Sequence, residues 1–131
     1  MDDNELITYF RQAIPNLVAL YRFGSQETGR SRPDSDVDLA ILAHTPTPNL
    51  RRFELAQDLA VQLHRDVDLV DLRTASTVMR MQVLATGTCL MSFDETARQE
   101  FEMYAYSDYA RLNEERREIV KDITKRGFVY G

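Results

Sequence analysis

Two short signals carry the chemistry of this chain: Gly24-Ser25, then, after ten intervening residues, Asp36-Val37-Asp38. An apolar run from Leu17 to Tyr21 leads into the first, and Leu39-Ala40-Ile41-Leu42-Ala43 leaves the second, so both sit at strand edges and face one another across a sheet. Gly24 allows a sharp exit from its strand and sets the amides that follow, beginning at Ser25, at a helix start where they favour an anion. Asp36 and Asp38, two apart on a strand, project their carboxylates from one face. Two such charges repel by roughly 4 kcal/mol at about 4 Å, taking an effective dielectric near 20. A divalent ion that prefers oxygen, Mg²⁺ or Mn²⁺, offsets that repulsion. A carboxylate pair beside a phosphate-binding turn is the layout of metal-assisted phosphoryl chemistry.

The elements that must position these groups alternate between helix and strand. Leu6, Ile7, Phe10, Ala13 and Ile14 recur at helical spacing, with Asp2 and Glu5 as a capping pair and Pro15-Asn16 as the stop. A strand follows over 17–23, then a short helical turn over 25–29 and a polar loop bearing Arg30, Arg32 and Pro33. The second strand spans 36–43. Thr47 is placed to cap a helix that starts at Pro48 and buries Phe53, Ala56, Ala60 and Leu63. A third strand, 65–72, is dense in carboxylates, with Asp68 at its centre between Val67 and Leu69. Asp66 shares a face with Asp68, and alternation does not separate the two as a third acidic group. Asp71, like Asp66, reads as a solvated strand end. Thr74 is the expected cap of a helix over 75–86 closed by Gly87, before a fourth strand over 88–93. The last segment, 94–126, is one long helix with Ala97, Phe101, Tyr104, Ala105 and Leu112 as its apolar stripe. Beyond Leu112 the stripe thins into charge, and Ile119, Val120 and Ile123 form an edge with little sheet left to cover. The aromatic set Phe101, Tyr104, Tyr106 and Tyr109 reads as core or interface packing. The pattern predicts an α/β (α+β) fold, a small mixed sheet packed with helices.

A chain of 131 residues has the size of one domain, 1–131, and its 44% apolar and 28% charged content is that of a globular protein. The net charge of −5 argues against extensive direct nucleic-acid binding and for a small substrate or a basic protein partner. Arg22, Arg30 and Arg32 form a local basic cluster beside the proposed phosphate site. Cys89 is the single cysteine, which excludes an internal disulfide and suits a small core residue. His44 and His64 are expected to carry no chemistry. The acidic N-terminus and the lack of a long apolar run point to no membrane association and to a cytoplasmic protein.

The Gly24-Ser25, ten-residue, Asp36-x-Asp38 pattern, with an acidic third strand behind it, resembles the polymerase-β-type nucleotidyltransferase superfamily. At this size the chain is similar to the minimal nucleotidyltransferase antitoxins of the HEPN/MNT toxin–antitoxin family. The resemblance covers nearly the whole chain. It implies a minimal polymerase-β-like nucleotidyltransferase fold with a long C-terminal helix, ATP as donor, and two Mg²⁺ ions held by Asp36, Asp38 and Asp68, the superfamily's third acidic position. Gly24 and Ser25 would hold the phosphates, with Arg30 and Arg32 as further nucleotide contacts. The implied acceptor is a tyrosine hydroxyl on a cognate HEPN ribonuclease toxin, which adenylylation would neutralise. Two other readings stand beside it: an antitoxin that acts by binding alone, and a nucleotidyltransferase for a small molecule or RNA.

Overall fold

The computed structural model describes residues 1–24 and 36–126, over which the elements run α1 (Asp3–Ala13), β1 (Leu17–Phe23), β2 (Val37–Ala43), α2 (Asn49–Leu63), β3 (Val67–Asp71), α3 (Thr77–Thr86), β4 (Thr88–Ser92) and α4 (Glu95–Arg126). The expected turn at 25–29, the loop arginines Arg30 and Arg32, and Ser25 lie outside the described residues. The strands order as β3-β2-β1-β4, with β1 antiparallel to both β2 and β4 and β2 parallel to β3. This is the mixed sheet the sequence predicts.

Helices cover the sheet on both faces, which explains why β1 and β2 read as unbroken apolar runs rather than as alternating ones. On one face, Leu6 and Phe10 of α1 and Leu55 and Leu59 of α2 pack against Leu20, Leu39, Ile41 and Leu69. On the other, Val83 of α3 and Phe101 and Ala105 of α4 pack against Val18, Tyr21, Phe23, Ala40 and Leu42. The Tyr21 hydroxyl donates to Glu102 at 3.0 Å, and Arg98 bridges Glu102 to Glu95, which fastens α4 to the central strand. The guanidinium groups of Arg73 and Arg80 stack on the Phe101 ring at 5.3 and 5.0 Å while donating to the carbonyls of Ala43 and Leu72.

Caps and faces differ from the sequence reading at five places. The Asp2 carboxylate does accept from the Glu5 amide at 2.8 Å and Gly87 does close α3, but Thr47 caps nothing. It is buried, its amide donates to Asp71 at 2.8 Å, and α2 starts after Pro48 without a side-chain cap. Asp71 is accordingly not a solvated strand end: only 3% exposed, it accepts from the amides of Thr47 and Arg73 and locks the β2–α2 connection to the end of β3. Ser76, not Thr74, caps α3, its hydroxyl accepting from the Met79 amide at 3.1 Å, while Thr74 turns back to the Asp71 carbonyl.

The buried face of α2 is Leu55 and Leu59, with Ala56 and Leu63 at its margin, and Phe53 is 61% exposed. Residues two positions apart on a helix, as Phe53 and Leu55 are, stand about 200° from one another, so once Leu55 and Leu59 take the core Phe53 must face outward. In α4, Phe101 and Ala105 are buried but Tyr104 and Tyr106 are exposed, so neither tyrosine belongs to the core. The helix then runs off the sheet, and Ile119, Val120 and Ile123 are exposed as the sequence predicts.

Replacing Asp71 tests the lock. Asp71→Ala strands the buried Thr47 amide and should cost about 2–4 kcal/mol of stability in urea denaturation, whereas Asp71→Asn, which keeps one acceptor, should cost less than half of that.

Candidate active site

Alternation along the strands sets the site. Val37, Leu39 and Ile41 of β2 face the α1/α2 core, so Asp36 and Asp38 face the other side; in β3, Val67 and Leu69 face that same α1/α2 core and leave Asp66 and Asp68 on the aspartate side. The helices on that side cover Ala40, Leu42 and Leu72 but stop short of the strand starts, leaving Asp36 and Asp68 exposed and Asp38 half-buried. Parallel pairing puts Asp68 directly beside Asp38, and antiparallel pairing puts Phe23, the last residue of β1, on the other side of Asp38. Asp66 lies two residues back, its carbonyl accepting from the Val37 amide at 2.9 Å. The register thus separates the two acidic positions of β3 that alternation left equivalent, and brings Asp68 to Asp38.

Gly24 follows Phe23 at φ +79°, the left-handed region. A Cβ built there would fall 2.1 Å from Asp38 Oδ2, so the residue has to be glycine for two reasons: its dihedral, and the carboxylate that occupies the space. The turn and the paired aspartates are therefore in contact. Gly87 adds a second close approach, since a Cβ there would meet the carbonyl of Arg22 at 2.9 Å, which pins the end of α3 to the end of β1.

The Asp38 carboxyl is raised above its ordinary value, first by burial, then by the charges of Asp68 and Asp36. A half-buried carboxylate flanked by two like charges suits a cation. Among the described residues no set of three His, Cys, Asp or Glu side chains forms a ready-made metal cage. An open carboxylate pair fits Mg²⁺, which keeps much of its shell for water and phosphate oxygens rather than a closed protein cage.

Arg22 lies on the other sheet face from Asp36 and Asp38. Flanked by Tyr21 and Phe23, which face the α3/α4 core, it points to the opposite side, where its guanidinium meets Asp3 of α1 at 2.7 Å. The Cys89 thiol is half-buried opposite Tyr21, away from the carboxylates, and burial pushes it up. His44 pairs with Asp94 at 3.3 Å, and His64 is the left-handed cap of α2. One feature the sequence reading missed is a groove of about 210 Å³ between α2 and β3, lined by Arg52, Phe53, Gln57 and Asp68 among others. Its signal was the misassigned face of α2.

Two expectations follow. A carboxyl whose folded value is raised binds its proton more tightly in the folded chain, so its penalty on folding is absent below the ordinary value of 3.8 and grows as pH rises through the folded one. In chelator, Asp38→Asn should therefore be more stable than the wild type at about pH 7, with a gap in urea midpoint that closes toward about pH 4. Gly24→Ala forces strain and displaces Asp38; calorimetry should find Mg²⁺-dependent ATP binding weakened at least about tenfold, with a loss of about 1–3 kcal/mol in stability.

The polymerase beta nucleotidyltransferase family profile matches residues 4–96. The chain is 41% identical over 126 residues to the protein adenylyltransferase MntA of Shewanella oneidensis, covering 94% of this chain and 88% of that one. A crystal structure of a toxin–antitoxin with AMP-PNP contains a chain 40% identical, with a TM-score of 0.84 over 95% of this chain and 99% of the other. A structure of the tri-AMPylated Shewanella oneidensis HEPN toxin in complex with MNT antitoxin contains one 39% identical, with a TM-score of 0.76 over 93% and 95% of the two chains. With its fold and its Gly24–Asp38 contact already in hand, these likenesses show that the chain belongs to the polymerase beta nucleotidyltransferase family, in its branch of MntA-like minimal nucleotidyltransferase antitoxins.

Proposed function

We propose that this protein is an antitoxin that transfers AMP from ATP to a tyrosine hydroxyl of a cognate HEPN ribonuclease toxin, releasing pyrophosphate and silencing the toxin. The observation that carries this reading is the contact of Gly24 with Asp38, with Asp68 in register beside it, in a chain so similar to adenylyltransferase antitoxins solved with their toxins. Asp36, Asp38 and Asp68 are the residues that would hold two Mg²⁺ ions. Bound there, the metal would neutralise the carboxylates, bind phosphate oxygens and make the acceptor hydroxyl more acidic.

The chain's own groups do the rest. The amides after Gly24, with Ser25, cradle the β- and γ-phosphates, and Arg30 and Arg32 add positive charge along the triphosphate. Asp68, on the outermost of the three strands, orients the tyrosine hydroxyl and receives its proton. The tyrosine oxygen bonds to the α-phosphorus as the bond to the bridging oxygen of pyrophosphate breaks, in line. The added phosphodiester puts bulk and negative charge on the toxin where RNA phosphate would bind. The compartment consistent with such a partner is the cytoplasm.

The test is persistence. Toxin treated with this protein, ATP and Mg²⁺, then purified away, should stay inactive and carry one or more added AMP masses on tyrosine, because a covalent bond outlasts dilution and an interface does not. Asp36→Asn/Asp38→Asn should bind toxin yet lower the transfer rate at least about a thousandfold, the scale of losing about 4 kcal/mol of metal-borne stabilisation. Full recovery of ribonuclease activity after wild-type treatment would replace transfer by simple binding.

A further inference from the structure

The strand order is also a reaction axis. Gly24 ends β1, Asp36 and Asp38 stand at the start of β2, and Asp68 lies in β3, each strand about 4.8 Å from the next. An in-line displacement puts the leaving pyrophosphate and the attacking oxygen on opposite sides of the α-phosphorus. With the triphosphate tail at the Gly24 turn, the acceptor must arrive from beyond β3, which is the edge of the sheet among the described residues.

At that edge α2 packs on the sheet face opposite the carboxylates, so an acceptor seated along it reaches Asp68 by passing over β3. The groove between α2 and β3 joins Phe53 and Arg52 on the helix to Asp68 on the strand, and continues past Gln57 toward Val61, His64 and Asp66. On its outer face α2 exposes Leu50 by 70%, Phe53 by 61% and Val61 by 73%. These positions, with Gln57 between them, follow helical spacing and make one stripe about 16 Å long. An apolar line of this kind is the pattern of a surface that is covered in use. Arg52 adds a second sign. Its Nη1 donates to the Leu69 carbonyl at 3.0 Å, yet its Nε is buried with no partner among the described residues, a donor left over in the wall of the groove.

We infer that the outer face of α2, with the groove it forms against β3, is the docking surface for the protein acceptor. Its occupant is the segment of the HEPN toxin that bears the tyrosine, laid with an apolar ridge along Leu50, Phe53 and Val61 so that the hydroxyl passes over β3 to Asp68. This rests on the transferase reading above. Met103 and Tyr104, exposed apolar side chains of α4, serve as the comparison.

The full-length chain carrying Phe53→Asp and Val61→Asp should fold and bind ATP-Mg²⁺ as the wild type does, since both side chains are exposed. With purified cognate HEPN toxin its KM for toxin should rise at least about tenfold while kcat at saturation stays within about threefold, the signature of lost docking rather than lost chemistry. Direct toxin binding, read by calorimetry in the same samples, should weaken in parallel; the milder Phe53→Ala should move both the same way, and Met103→Asp/Tyr104→Asp neither. Unchanged toxin binding and KM in the α2 variants, or a loss confined to the α4 variant, overturns the inference. If the wild type transfers no AMP, the transferase reading fails, and the binding measurements still decide the surface.

Discussion

Everything at the active end depends on the contact between a backbone and a carboxylate. Asp38 occupies the volume that any side chain at position 24 would need, and it does so while half-buried and flanked by two other acids. Such a group is held against its own preference, since burial and like charges both favour its neutral form. What holds it is the rigidity of the two central strands, each packed on both faces, with β1 gripped further by Tyr21 to Glu102 on one side and Arg22 to Asp3 on the other. The cost is local and the support is distributed, the common arrangement where a site is preorganised for a charged ligand.

The same logic explains the division between the two ends of the sheet. At the end where β2 and β3 finish, every carboxylate and guanidinium is satisfied internally: Asp71 by two amides, Arg73 and Arg80 by carbonyls and the Phe101 ring. At the end where they begin, the carboxylates of Asp36, Asp38 and Asp68 face one another. Both ends are acidic strands in the sequence. Only the first is a closed network, and its role is to fix the connection that leads into α2.

Most of the fold was legible because its signals are local and strong. Long apolar runs bounded by Pro, Gly and Asp gave β1, β2 and β4 to within a residue, and Asp2, Gly87 and the charge-rich tail bounded α1, α3 and α4. What was not legible depended on partners far along the chain. Nothing near Thr47 says that its amide is claimed by Asp71, and nothing near Phe53 says that Leu55 and Leu59 win the core. In the site, alternation put Asp36, Asp38, Asp66 and Asp68 on one face, but the choice of Asp68 as the neighbour of Asp38 is a matter of register between β2 and β3, which no property of either strand alone encodes. The direction of Arg22 was readable in principle from the burial of Tyr21 and Phe23 on either side of it.

The central position of β1 has a consequence for the order in which the molecule assembles. Its pairing with β2 joins Phe23 to Asp38, close in sequence, whereas its pairing with β4 joins Ala19 to Ser92. Closing the longer loop costs about 1.4 kcal/mol more in chain entropy, so the β1–β2 hairpin is the earlier contact and β4, with α4 behind it, the later one. The hairpin is also the piece that carries Gly24 and Asp38. The acidic pair is thus brought together before the second core exists to hold it.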